Sequence, residues 1–233
     1  MLTVAMRKQL HSSLFDLVLS SSLISSVIWN RHVHARIWGI PVHRKLIATT
    51  WDLTSLCMKT AIDKHAPHGG FRFLDMGCGQ VALLAQYTKR LRPQAEVMAI
   101  DIYSDFVANS KFNAERNGLA IDVRTGDLFE GVLEKFDLIA LNPPYYPEPE
   151  HVAYKYKLAR YAGPDGTDVM RRFLTQASSH LARSGKLLLG FSSALVSMER
   201  CLELIREAGY SMEDVVRRRL NASRVLVLSR PGP

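Results

Sequence analysis

Phe73-Leu74-Asp75-Met76-Gly77-Cys78-Gly79 carries an apolar strand into a glycine turn, and a helical pattern follows near residues 80–91. Glycines at such a turn let the backbone fold back sharply and approach a ligand with no Cβ in the way. Outward from this stretch, short apolar runs alternate with helical patterns. Strands are predicted at 71–76, 96–101, 121–125, 136–141 and 186–191, with helices near 80–91, 103–117, 167–182 and 196–208. That alternation predicts a parallel sheet with crossover helices. Two last strands, 214–220 and 224–229, are separated only by Asn221-Ala222-Ser223. Three residues cannot make a crossover, so the final strand enters antiparallel. The expected fold is α/β: a doubly wound, mostly parallel seven-stranded, Rossmann-like sheet with a C-terminal antiparallel hairpin.

The chain has 233 residues, 47% of them apolar and 22% charged, the balance of a globular protein long enough to bury a full core. The strand pattern starts after Gly69-Gly70, which divides the chain into an N-terminal helical extension, 1–69, and the sheet domain, 70–233. Helices are predicted in the extension near 5–28 and 49–64, with a loop around Trp38-Gly39-Ile40-Pro41. Residues 14–29 are apolar but contain Asp16 and five serines. At 16 residues they fall short of the roughly 20 that a bilayer needs, so an amphipathic packing helix is expected and no membrane association. Cys57, Cys78 and Cys201 are far apart and form no C-x-x-C, which argues against a disulfide framework or a structural metal and fits a reducing cytoplasm. The net charge of +8 is uneven: residues 1–70 carry +5, 71–210 are neutral and 211–233 carry +3. Basic flanks suit an anionic partner such as RNA, and equally suit an ordinary solubilising surface.

Three carboxylates fall at the ends of three successive predicted strands: Asp75, Asp101 and Asp127. Asp101 stands where an acid accepts both hydroxyls of a ribose. Asp127 lies in Gly126-Asp127-Leu128-Phe129, which places a carboxylate and an apolar pair where an adenine would lie. Singly, each acid also reads as a helix cap or a surface charge. Together they converge on the sheet edge where open α/β folds bind ligands.

The fourth strand runs into Leu141-Asn142-Pro143-Pro144-Tyr145-Tyr146-Pro147. Two prolines directly after a strand remove two donors and fix the backbone with its carbonyls outward. Methyl transfer to a planar nitrogen needs the NH₂ group held, and the Asn142 side-chain oxygen and the Pro143 carbonyl can accept its two hydrogens. Tyr145 can pack on a planar amide or base. Proton loss to solvent makes a strong general base unnecessary, with His151 or Tyr146 as possible assistants.

Asp75-x-Gly77-x-Gly79, Asp101, Gly126-Asp127-Leu128-Phe129 and Asn142-Pro143-Pro144-Tyr145 together resemble the class I amino-methyltransferases related to the release-factor glutamine methyltransferases. The resemblance continues through Ala162-Gly163-Pro164-Asp165-Gly166, Arg172-Phe173-Leu174, Leu181–Lys186 and the closing hairpin, covering about residues 70–230. It implies S-adenosyl-L-methionine as cofactor and the methyltransferase variant of the doubly wound sheet. It assigns Asp75, Gly77 and Gly79 to the methionine moiety and turn, Asp101 to the ribose, and Asp127 and Leu128 to the adenine. Asn142 and Pro143 go to the acceptor nitrogen beside the cofactor, and Thr50 is a further cofactor candidate. Three features depart from the pattern: Val81 stands where many members have a third glycine, residues 1–70 leave little room for the larger leading helical domain of the bacterial enzymes, and the 147–161 segment, with His151, Tyr154 and Tyr156, is unlike the usual substrate loop. The acceptor therefore stays open between a protein glutamine, a small metabolite and an exocyclic amine of nucleic acid. A cofactor-binding scaffold without activity is disfavoured by the intact Asn142–Tyr145 motif.

Overall fold

The computed structural model describes residues 31–43, 52–148, 155–218 and 222–230. The helix expected near 5–28 lies outside them, as do Thr50, His151 and Tyr154. Strands β1 (Arg72–Met76), β2 (Glu96–Asp101), β3 (Asp122–Thr125), β4 (Phe136–Leu141), β5 (Leu181–Ser192), β6 (Ser211–Arg217) and β7 (Ser223–Ser229) form one sheet in the order β3-β2-β1-β4-β5-β7-β6. Pairing is parallel from β3 to β5, and β7 inserts antiparallel between β5 and β6.

Among the described residues the helices are α1 (Arg31–Trp38), α2 (Leu53–His65), α3 (Leu83–Leu91), α4 (Ser104–Arg116), α5 (Asp168–His180) and α6 (Met198–Glu207), with a 3-10 turn at Lys157–Ala159. Helix α1 occupies part of the segment expected as loop, and ends just before Gly39. Successive strand residues alternate between two cores, as the two-residue period of a strand requires. Val97, Ala99, Leu138 and Ala140 face the core that contains Met58 and Ile62 of α2 and Leu84 of α3. Met98, Ile100, Ile139 and Leu141 face the other, with Phe173 of α5 and Leu204 of α6. Both faces are covered, which is why the central strands read as unbroken apolar runs.

Helix α2 precedes the sheet in sequence yet packs on β5, β6 and β7, so the segment before Gly69 and the sheet share one core. Asp52 starts this helix: its side chain accepts from the Ser55 backbone N–H at 2.7 Å, while Ser55 Oγ accepts from the Asp52 N–H at 3.1 Å. This reciprocal cap satisfies two backbone donors and stabilises the helix start by about 1 kcal/mol. Strand order reverses between β1 and β4, so a crevice opens at their C-terminal ends, beyond Met76 and Leu141. Among the described residues no helix is long and apolar enough to cross a membrane.

Candidate active site

Gly77 and Gly79 both adopt left-handed backbone, with φ of +65° and +64°, so the turn after β1 needs residues without a Cβ. The turn is tied to β2 twice: Cys78 N–H donates to the Ile100 carbonyl at 2.9 Å, and Gly79 N–H donates to Asp101 Oδ2 at 2.8 Å. Asp101 Oδ1 accepts from the Tyr103 N–H at 3.0 Å, so both its oxygens already hold backbone donors beside the crevice. Asp75 is turned to the start of α3, where Oδ2 accepts from the Ala85 N–H at 2.9 Å. Burial pushes its carboxyl up to about 7, and the nearby Asp101 adds to the shift. Asp101 is raised as well, mainly by burial. Among the described residues neither buried acid has an ion-pair partner, so the two together favour a cationic ligand. Val81, in place of a third glycine, is fully buried, and the chain turns into α3 through Ala82 at φ +48°.

Asp127 engages α5, its Oδ2 accepting from Arg172 at 2.7 Å, and it lines an open groove of about 440 Å³ with Arg172 and His180. Leu128 holds φ +53°, costly for a branched residue by roughly 1–2 kcal/mol. Strain of that kind collects at functional sites, where the surrounding structure enforces it. Ile102, directly after Asp101, leaves 40% of its surface exposed, an apolar platform at the end of β2.

Asn142 follows the last residue of β4 and lies beside Gly190 of β5, in register with the Leu141–Leu189 pair. Its Nδ2 donates to Asp52 Oδ1 at 3.2 Å and to Ser55 Oγ at 3.3 Å. Its Oδ1 is buried and has no hydrogen-bond partner among the described residues. A Cβ at Gly190 would lie 3.1 Å from that oxygen, 2.8 Å from Thr54 Cγ2 and 3.0 Å from Met58 Cε, so only glycine leaves the space intact. Tyr145 is 7% exposed, and its hydroxyl is held by Asp52 Oδ2 and, at 3.1 Å, by Thr54 Oγ1. Burial and the Asp52 carboxylate raise its phenol well above the usual range, which keeps it a donor. Tyr145 thus stands as part of the wall, packed against Tyr146 with ring centroids 5.8 Å apart, rather than as an open stacking face. Thr54 Oγ1 reaches on to Ser223 Oγ of β7 at 3.1 Å.

The loop after the motif folds back over this edge. Tyr146 and Ala162 exchange backbone bonds with Arg160 and Tyr146, and Arg160 lies over the Tyr146 ring at 4.9 Å. Lys155 Nζ and Tyr156 Oη both donate to Asp105 Oδ2 at 2.6 Å, at the start of α4. The structure therefore brings Gly77, Gly79, Asp101, Asn142, Pro143 and Tyr145 to neighbouring strand ends. Asp75 and Asp127 lie on the same turns, with their carboxylates on α3 and α5. Sequence reasoning missed Asp52, Ser55, Thr54 and Gly190; a capping signal at Asp52 was readable, its reach to β4 was not. Among the described residues no group of three or more His, Cys, Asp or Glu could hold a metal.

A family model described as "Methyltransferase small domain" matches residues 48–210. A release factor glutamine methyltransferase of Deinococcus radiodurans is 40% identical over 125 residues, 51% of this chain and 44% of that protein. Its counterpart in Haemophilus influenzae is 32% identical over 171 residues, 67% of this chain and 56% of that protein. The chain spans about half the length of these curated relatives. A methyltransferase structure from Pyrococcus furiosus superposes with a TM-score of 0.64 at 20% identity, covering 89% of this chain and 97% of that one.

Proposed function

Because this chain belongs to the methyltransferase small-domain family, we propose that it transfers a methyl group from S-adenosyl-L-methionine to the side-chain amide nitrogen of a protein glutamine. The residues fit that cofactor. The cofactor's cationic methionine end would place positive charge beside buried Asp75 and Asp101, whose carboxyls burial raises, and the Gly77–Gly79 turn leaves room for it. Asp101 keeps lone pairs for the ribose hydroxyls, with Ile102 as an apolar face for the base. Bound there, the cofactor would supply a methyl group activated on a sulfonium.

The observation that carries the acceptor reading is Asn142 Oδ1, a buried acceptor without a partner among the described residues, directly before Pro143. An unpaired buried acceptor is costly by about 1–3 kcal/mol, and an entering amide N–H relieves that cost. The second N–H falls to the Pro143 carbonyl, so the nitrogen lone pair is turned toward the methyl group. No residue has to take the proton before transfer, because the product nitrogen releases it to solvent. The named activity of the relatives from D. radiodurans and H. influenzae supports glutamine as the acceptor.

The test is incubation with methyl-labelled cofactor and purified release factors or ribosomal proteins, with mass spectrometry of the labelled peptide. Label on a glutamine side-chain nitrogen is expected; label on oxygen or carbon overturns the nitrogen assignment. The uneven charge, +5 over residues 1–70 and +3 over 211–233, favours one second reading, an exocyclic amine of nucleic acid. Acceptor binding that weakens steeply with salt would select it.

A further inference from the structure

Asp52 has four short partners, and two belong to the proposed acceptor grip. Oδ1 takes the Ser55 N–H at 2.7 Å, the Ser55 hydroxyl at 3.0 Å and Asn142 Nδ2 at 3.2 Å, while Oδ2 takes the Tyr145 hydroxyl. A carboxylate only accepts hydrogen bonds. Ser55 Oγ has already given its proton to Asp52, so it too meets Asn142 as an acceptor, at 3.3 Å. Both groups on that side of Asn142 therefore demand the NH₂ end of its amide. The carbonyl end is forced the other way, toward Gly190, where it is buried and has no partner among the described residues.

An asparagine amide is nearly symmetric in shape, so its flip is decided by its neighbours. With NH₂ turned toward an entering amine, Asn142 would oppose two like donors and repel the acceptor. We propose that Asp52 is a positioning residue: from the start of α2 it fixes the Asn142 amide with its oxygen toward the acceptor, and holds the Tyr145 hydroxyl with its other oxygen. This rests on the reading of Asn142 as the acceptor grip. Asp52 lies 90 residues before Asn142, and its cap on α2 gives the carboxylate a fixed place from which to act.

Asparagine separates this role from capping, since it caps helices about as well as aspartate. Asp52→Asn can present either end of its own amide to Asn142, so the flip is released while the cap survives. Asp52→Asn is expected to keep its thermal midpoint within a few degrees and its S-adenosyl-L-methionine affinity within about threefold, yet lose on the order of tenfold or more in kcat, as for a lost transition-state contact. In an Asn142→Ala, Tyr145→Phe background the same change should cost less than about twofold more, because both groups it holds are gone. Wild-type kcat in Asp52→Asn, with Asn142→Ala impaired, overturns the inference and leaves the function intact. A kcat loss that disappears when assayed well below a lowered thermal midpoint also overturns it, as does full additivity in the triple variant. Wild-type kcat in Asn142→Ala overturns the reading of the site and this inference with it.

Discussion

Gly79 donates its backbone N–H to Asp101 Oδ2 across 22 residues of chain, so the glycine turn and the end of β2 are held as one unit. The carboxylate proposed to bind the ribose also sets the position of the turn proposed to face the methionine. Under that proposal, ligand binding and local order are coupled through one side chain.

Asp101→Ala should weaken S-adenosyl-L-methionine binding by roughly 1.5–3 kcal/mol, the scale of hydrogen bonds to a charged group. Titration calorimetry on the folded variant checks it. Unchanged affinity would remove Asp101 from the cofactor site.

Asn142→Ala should leave cofactor affinity within about threefold and lower turnover by about 10²-fold or more, as when a positioning contact made in the transition state is lost. Steady-state kinetics and calorimetry on one preparation separate the two effects.

At Gly190, an added methyl would sit 2.8 Å from Thr54 Cγ2, and Thr54 is pinned by Tyr145 and Ser223. Gly190→Ala should destabilise the fold by about 1–3 kcal/mol, an overpacking cost, and reduce turnover by displacing Asn142. Chemical denaturation showing wild-type stability would mean that α2 yields freely at this point.

Asp75 has a folded-state value of about 7 against an ordinary 3.8, so the folded protein binds more protons than the unfolded chain between those limits. Stability of the unliganded protein should therefore fall as pH rises from about 4 to about 7. Asp75→Asn should flatten that part of the profile, and a cationic ligand should release a proton near neutral pH. Calorimetry in buffers of different ionisation enthalpy measures that proton; its absence, with an unchanged pH profile, would show that Asp75 does not titrate there.

Strands β2 and β4 match the sequence reading residue for residue, since the apolar residues of each are buried between helices. Strand β5 begins at Leu181, five residues earlier than the apolar pattern at 186–191, because α5 passes directly into extended chain and Phe136 pairs with Leu181 before a register shift. Strand β6 is an edge, and its Glu213 and Asp214 are spent on Lys186 and on Lys64 with His65, so its polar start at Ser211 carries no strand signal. The glycine turn and Asn142–Tyr145 were legible because local backbone demands dictate their residue types. Asp52, Thr54 and Gly190 were not, because their roles depend on partners 90 or more residues away in sequence or on a close helix approach.

Strand β7 lies between β5 and β6, although it follows both in the chain. A ribosome making this protein therefore releases β6 before its partner exists, and α2 before Ser223 can receive Thr54. Docking of α2 on β5 and α3 can begin earlier, but its contacts with β7 are complete only once that strand inserts. Nascent chains halted before residue 223 would expose an unpaired strand edge and the apolar underside of α2, the surfaces that invite aggregation and chaperone capture.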